Sequence, residues 1–405
     1  MADVDSAALG ARAENMIKQL APISSEPGRL VRLFLSPEHR RAADLASQWM
    51  RDARLRVTED ALGTVRGRVG DGPRLLIGSH LDSVIDAGNY DGPLGVICGI
   101  LAAGHFGGNP PVPIDVLAFG DEEGSRFPST LSSSAACVGA FEPGTLDLAD
   151  RDGITFGAAL KAYGKNAGNI PKAAYKREDV LGYTEVHIEQ GPLLESENQA
   201  LGVVTGIVGQ SRFRVTVKGE AGHAGTVPMN MRRDALAGSA EMTLVAETIA
   251  CAGNQMVATV GRIEAKPGAG NIIPGCVDFT VDLRCMDDRI RHAAVTQFEN
   301  EAHRIANARN LDVEFDHFHD APAAACDVKL QDTLAAAIAD LGGHEIRLPS
   351  GAGHDAQMMA RLCPSSMMFV RCKRGVSHNP AEYCAPADMG LAVAALIRFI
   401  ERLKP

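Results

Sequence analysis

From residue 1 to about 205, short apolar runs alternate with segments whose apolar positions recur at helical spacing. Glu38–Leu55 sets Ala42, Leu45, Trp49 and Leu55 on one stripe, with Pro37 ahead of it as a start signal. Arg74–Ser79 (RLLIGS), Ile114–Gly120 (IDVLAFG) and Tyr183–Ile188 (YTEVHI) read as buried strands. Between the first two, Gly95–Gly104 (GVICGILAAG) is small and apolar and suits a helix packed closely on a sheet. Strands alternating with helices predict an α/β sheet with many parallel members.

Near residue 208 the texture changes. Gln210–Lys218 (QSRFRVTVK) alternates with period two, as a half-exposed strand does, and a helical stretch follows over Arg232–Ala252. Strand-like Met256–Ile263 and Cys276–Cys285, a helix over Asp288–Asn310 and a strand over Asp312–Phe318 complete a strand–helix–strand–strand–helix–strand order. That order fits a ferredoxin-like α+β sandwich. After Pro322 the first texture returns, with a helix over Lys329–Leu341, an apolar run Ser366–Val370 and a closing helix Ala387–Leu403. The expectation is a discontinuous α/β domain, 1–208 and 325–405, interrupted by an inserted domain, 209–324.

Charge narrows the partners. With 40 Lys+Arg against 50 Asp+Glu the formal charge is −10, which argues against a nucleic-acid or anionic-membrane surface. The longest apolar candidates, such as Pro93–Ala103, are broken by Gly and fall short of the ~20 residues of a membrane span. The acidic start MADVDSAALG lacks the blocks of a signal peptide. The 9 Cys are dispersed with no Cys-x-x-Cys pair, which reads as reduced thiols, so the expected location is the cytoplasm.

The chemistry lies where ionisable residues meet strand ends, since ligands of open α/β sheets collect beyond the carboxyl ends of strands. LLIGS runs into His80 and Asp82, then Asp91-Gly92; IDVLAFG runs into Asp121-Glu122-Glu123; YTEV runs into His187, Glu189 and Gln190; Ser377-His378-Asn379-Pro380 sits near the far end. Singly, these are turns and satisfied histidines. Jointly, three His, one Asp and one Glu make a nitrogen/oxygen ligand set without thiolate, suited to Zn2+ and tolerable for Mn2+ or Co2+. One carboxylate shared by two ions leaves each an open position, which favours metal-assisted hydrolysis. No Gly-x-Ser-x-Gly elbow, Gly-x-x-x-x-Gly-Lys loop or dinucleotide fingerprint competes. His317-Phe318-His319 reads as strand surface with both rings on one face, and Arg371–Arg374 as a solvated turn. Ser350–Asp355 (SGAGHD) either caps a helix or lets backbone approach a ligand.

In order along the chain stand GSHLDSVIDAGNYDGPLGV (78–96), FGDEEGSRF (119–127), EVHIEQGP (185–192), KGEAGHAGTVPM (218–229), GNIIPG (270–275), DLR (282–284), SGAGHDA (350–356) and VSHNPAE (376–382). On these segments the chain resembles the amidase/carbamoylase branch of the di-zinc aminoacylase and carboxypeptidase clan. That branch includes N-carbamoyl-L-amino acid hydrolase, β-ureidopropionase and allantoate amidohydrolase. The resemblance implies a di-metal peptidase-like catalytic domain with an inserted ferredoxin-like lid and dimerisation domain. It implies one ion on His80 and His187, a second on Glu123 and His378, and Asp91 between them. Asp82 would orient the His80 ring, and Glu122 would be the general base. His223 would bond the developing oxyanion from across a homodimer, while Gln190, Asn271 and Arg284 would hold the substrate, a guanidinium fork suiting its carboxylate. The implied activity is hydrolysis of the carbamoyl C–N bond of a small ureido-carboxylate such as an N-carbamoyl-L-amino acid or allantoate. The rival within the clan is aminoacylase or dipeptidase chemistry on an ordinary amide. Arg374, where relatives often carry a small or acidic residue, and the stretch Arg151–Glu178 depart from the pattern without touching a ligand position.

Overall fold

The computed structural model describes residues 4–253 and 256–403; the first three residues of the acidic N-terminal segment lie outside them. It comprises two compact units, Met1–Gly206 with Ala325–Pro405, and Ile207–Ala324.

The first unit is built on a mixed sheet in the order Arg56–Glu59, Val65–Val69, Ile114–Phe119, Arg74–His80, Val180–Ile188, Ser365–Val370, Leu201–Ile207. Its four middle strands run parallel: His80 pairs with Phe119, Ile77 with Thr184, and Phe369 with His187. Every residue of Ile114–Phe119 and Ser365–Val370 is buried, as expected of parallel strands covered on both faces. Helix Pro93–His105 is apolar all round, with Leu94, Val96, Ile97, Ile100 and Leu101 buried, which makes it a core element and not a surface stripe. Helices Ser6–Leu20, Val328–Ala339 and Pro386–Arg402 share its core. The α/β class and the parallel strands match expectation, and the predicted element ends hold within a few residues.

Some elements differ from the sequence reading. Helix Ser6–Leu20 was not foreseen, although Leu9, Ala13, Met16, Ile17 and Leu20 form its buried stripe. The antiparallel strands Arg56–Glu59 and Val65–Val69 carry Arg and Gly in place of a clear apolar pattern. The helix expected to reach Leu55 is Pro37–Asp52; Arg54, with φ at 65°, turns the chain so that Leu55 enters the core from beyond the helix end.

The second unit is an antiparallel sheet, Asp312–Ala321, Gly209–Lys218, Cys276–Cys285, Met256–Lys266, with helices Ala235–Ala252 and Asp288–Ala308 packed on it. Cys276–Cys285 alternates strictly, with Val277, Phe279, Val281, Leu283 and Cys285 buried. Among the described residues, Ala235–Ala252 is a helix long and apolar enough to cross a membrane, a longer candidate than the Pro93–Ala103 run that sequence reading singled out. Here its Met242, Ala246 and Ile249 pack in the sandwich core. A bulge also corrects the reading of His317-Phe318-His319: His317 pairs with Phe213 but His319 with Arg212, so the shared face is lost. All nine cysteines are free thiols, in keeping with the reduced reading.

Candidate metal centre

Because the four middle strands are parallel, their carboxyl ends open at one edge of the sheet. His80 is the last residue of its strand, and His187 the penultimate residue of its own. Glu122 and Glu123 follow Ile114–Phe119, and His378 lies in the loop beyond Ser365–Val370. Asp91 ends the loop that enters helix Pro93–His105. At the turns Asp121, Gln190 and His378 adopt positive φ (62°, 57°, 54°), a left-handed conformation that costs a non-glycine residue about 1–3 kcal/mol and gathers at functional sites. Gly92, at φ 82°, is required by contact as well: a Cβ there would lie 2.5 Å from the His80 ring.

Asp91 is the hub. Its Oδ1 lies 3.4 Å from His80 Nε2 and 3.2 Å from His187 Nε2, and its Oδ2 lies 3.3 Å from His378 Nε2. Glu123 Oε2 is 3.5 Å from the same His378 nitrogen, and Glu122 Oε2 is 3.9 Å from His80 Nε2. The ligand-type atoms form cation-sized groups: His80, Asp91 and His187; Asp91, Glu123 and His378; and His80, Glu122 and Glu123.

Hydrogen bonds on the far side of each ring settle which nitrogen is free. His80 Nδ1 faces the Asp82 carbonyl at 3.1 Å, and His187 Nδ1 faces the Ile188 carbonyl at 2.9 Å, so each Nδ1 donates a proton there and each Nε2 points into the cluster. Both Nε2 atoms are buried and without a hydrogen-bond partner. Buried polar atoms left unpaired are costly, and a divalent cation would satisfy both. The charges say the same. Burial, joined by Glu123, Asp355 and Asp91, pushes the Glu122 carboxyl well above its ordinary range; burial and Asp91 push Glu123 up to about 7. Burial would raise Asp91 too, but His187 and the other imidazoles outweigh it and hold Asp91 well below. The bond to Asp91 raises His378 to about 9. A buried acidic cluster of this kind calls for positive charge, and hard nitrogen/oxygen donors suit Zn2+, Mn2+ or Co2+.

Asp82 does more than face His80 Nδ1, from which its Oδ1 stands 3.5 Å. Its two carboxylate oxygens also accept the backbone N–H groups of Glu122 and Glu123, each at 3.3 Å, so one side chain joins the histidine to the Glu-Glu turn. Gln190 Nε2 donates to Asp91 Oδ2 at 2.7 Å and to Ser377 Oγ at 3.2 Å. Glu189 turns away and caps the following turn through the N–H groups of Leu193 and Leu194.

Sequence reading missed His354. The SGAGHD segment places it, buried, with its ring 4.4 Å from that of His187 and its Nε2 2.8 Å from Ser350 Oγ. Burial, with His187 beside it, holds this imidazole neutral, well below its ordinary value. Arg371 is no solvated turn residue: its fork is bidentate on Asp388 at 2.9 Å.

In the second unit, His223 and Asn271 are brought together by the pairing of Gly222–His223 with Ile272–Ile273 and by the Ala224 N–H on the Asn271 carbonyl. His223 Nδ1 accepts the Gly225 N–H at 3.0 Å, which leaves the neutral ring's proton on the exposed Nε2. Arg284 grips Asp282 through Nε and Nη2, both at 2.9 Å, and Arg212 holds the same carboxylate. Despite burial, which would raise it, Arg284 and Arg212 keep Asp282 below the ordinary carboxyl range.

The fold is that of a known hydrolase class: residues 76–402 match peptidase family M20/M25/M40, and the chain belongs to that family. Among its relatives, the allantoate deiminase of Arabidopsis thaliana is 41% identical over 98% of this chain and 83% of the relative. The N-carbamoyl-L-amino acid amidohydrolase of Geobacillus stearothermophilus is 37% identical over 97% and 98%. A hydantoinase/carbamoylase family amidase from Burkholderia multivorans superposes with a TM-score of 0.91 at 32% identity, covering 96% of this chain and 97% of its own.

Proposed function

We propose that the chain hydrolyses the carbamoyl (ureido) C–N bond of a small carboxylate-bearing substrate, of the N-carbamoyl-L-amino acid or allantoate kind, with two divalent cations, Zn2+ before Mn2+ or Co2+. The observation that carries this reading is the convergence of three histidine Nε2 atoms on the two oxygens of Asp91. The names borne by the full-length relatives select the carbamoyl bond. His80 and His187 would hold one ion, Glu123 and His378 the other, and Asp91 both. When bound, the ions supply Lewis acidity and a more acidic water.

The chain's own residues supply the rest. Glu122, whose Oε2 stands 3.9 Å from His80 Nε2, would take the proton of the attacking water and return it to the departing nitrogen. Asp82 holds Glu122 in place through its backbone N–H. His223 would donate its Nε2–H to the oxyanion; one such donor is worth roughly 2.7–4 kcal/mol in the transition state. Arg284, pre-set by Asp282, and Asn271 would bind the substrate carboxylate, with Gln190 beside the centre. A carbamoyl-amino acid plus water would give the amino acid and carbamate, which breaks down to ammonia and carbon dioxide.

The same reading includes a homodimer through the second unit. Met256–Lys266 is an edge strand whose Val257 is 58% exposed, and Leu244 on helix Ala235–Ala252 is 60% exposed. A second copy would cover both.

The test of function is a panel on metal-reconstituted protein: carbamoyl-β-alanine, carbamoyl-L-amino acids, allantoate, ureidoglycolate, an N-acetyl-amino acid and a dipeptide. Turnover of ureido acids is expected, and Glu122→Gln should keep its metal while losing about 10²–10⁴-fold in turnover. Cleavage confined to the acetyl-amino acid or dipeptide would replace the carbamoylase reading with the ordinary-amide one.

A further inference from the structure

We propose that Glu382 is a positioning residue of the metal centre, acting through Asp91 and Ser377; this rests on the two-cation reading above. Glu382 is buried and belongs to none of the cation-sized groups. Its Oε1 accepts the backbone N–H of Tyr90 at 2.7 Å and that of Asp91 at 3.1 Å. Its Oε2 lies 3.1 Å from Ser377 Oγ, which in turn reaches Asp91 Oδ2 at 2.6 Å. The single hydroxyl hydrogen of Ser377 therefore lies between two carboxylates, with the shorter contact to Asp91. The loop that ends in Asp91 closes directly on the Glu382 stem: a Cβ on Gly88 would lie 2.3 Å from Glu382 Cβ.

Asp91 has to face two ways, Oδ1 toward His80 and His187 and Oδ2 toward His378. Rotation about its Cβ–Cγ bond improves one side at the expense of the other. Glu382 fixes the Asp91 backbone, and Ser377, adjacent to His378, fixes Oδ2. One carboxylate thus joins loops 292 residues apart and sets the orientation of the shared ligand. The side that depends on it most is the Asp91–Glu123–His378 group, because Ser377 touches Oδ2.

The experiment measures Zn2+ affinity of the full chain by chelator competition and metal content by elemental analysis. Glu382→Ala should weaken one site about 10–100-fold and leave the other within about threefold, a split between the sites that a loss of melting temperature shared by metal-free and loaded protein does not produce. Glu382→Gln should rescue affinity: its Oε1 keeps both backbone N–H groups, and its amide donates to Ser377 Oγ, leaving the hydroxyl hydrogen to Asp91. A purely structural part would lower the melting temperature of metal-free and loaded protein alike without changing affinity. Should Glu382→Ala fail to fold, Ser377→Ala carries the test, since it removes the hydroxyl that links Glu382 to Asp91 Oδ2, together with its contact to Gln190, and should weaken the same single site. Two ions bound by wild type, with unchanged affinities in Glu382→Ala or its substitute, overturn the role of Glu382 alone. Wild type that takes up no divalent ion overturns the two-cation reading and this proposal with it.

Discussion

Asp82→Asn separates two jobs that one carboxylate performs. The native side chain accepts from Glu122 N and Glu123 N at 3.3 Å each and stands 3.5 Å from His80 Nδ1. Asparagine keeps one acceptor oxygen and replaces the other with a donor. In either orientation, one of the two backbone N–H groups then faces an NH2 group. A buried donor left unsatisfied costs about 1–3 kcal/mol, a factor of roughly 5–150. The His80 ring is less exposed to the change, because the Asp82 main-chain carbonyl, 3.1 Å from Nδ1, survives the substitution and keeps the proton where it is. The loss should therefore fall on the site that uses Glu123. Chelator competition read as a two-site curve should show one Zn2+ weakened about 10–100-fold and the other nearly unchanged, with turnover falling in parallel. Equal weakening of both sites, or of neither, would show that the carboxylate does not act through the Glu-Glu turn.

Asp282→Asn weakens the hold on the Arg284 fork and should raise KM for a carboxylate substrate about tenfold with kcat nearly kept, measured by steady-state kinetics; an unchanged KM shows that Asp282 does not set Arg284 for the substrate. Leu244→Glu places a charge on the exposed helix face and should shift the chain toward monomer in sedimentation velocity, and persistence of a dimer would move the interface elsewhere. His39 predicts a pH effect: burial lowers its imidazole from 6.5 to about 4, while Nδ1 meets Tyr163 Oη at 2.8 Å. Between those values the unfolded chain binds a proton that the native one refuses, so stability falls as pH drops from 6.5 toward 4, by up to about 3 kcal/mol, and this contribution is flat above 6.5. Fluorescence of Trp49, the single tryptophan, follows unfolding, and His39→Gln should flatten that slope.

The strands that carry the centre were legible because buried parallel strands read as short apolar runs, and each of the four has ionisable residues at or beyond its carboxyl end. Helix Pro93–His105 was visible for a similar reason, its small apolar composition. What stayed hidden works by contact between distant segments. Glu382 and His354 sit in loops without periodicity, and nothing near them in order discloses that one meets Tyr90 and the other His187. The bulge at Phe318 was equally silent, since strict alternation looks the same until the partner strand is known. Arg371 read as solvated because its partner, Asp388, lies on the next helix.

The interior position of Ser365–Val370, between Val180–Ile188 and Leu201–Ile207, bears on how the molecule is made. A ribosome adding roughly 5–20 residues per second releases the early strands well before this one exists. During that interval the nascent sheet has a gap at its middle, while the Ile207–Ala324 segment emerges whole and can collapse on its own core. His378 and Glu382 can therefore join His80, Asp91 and His187 only after the whole second unit has been synthesised.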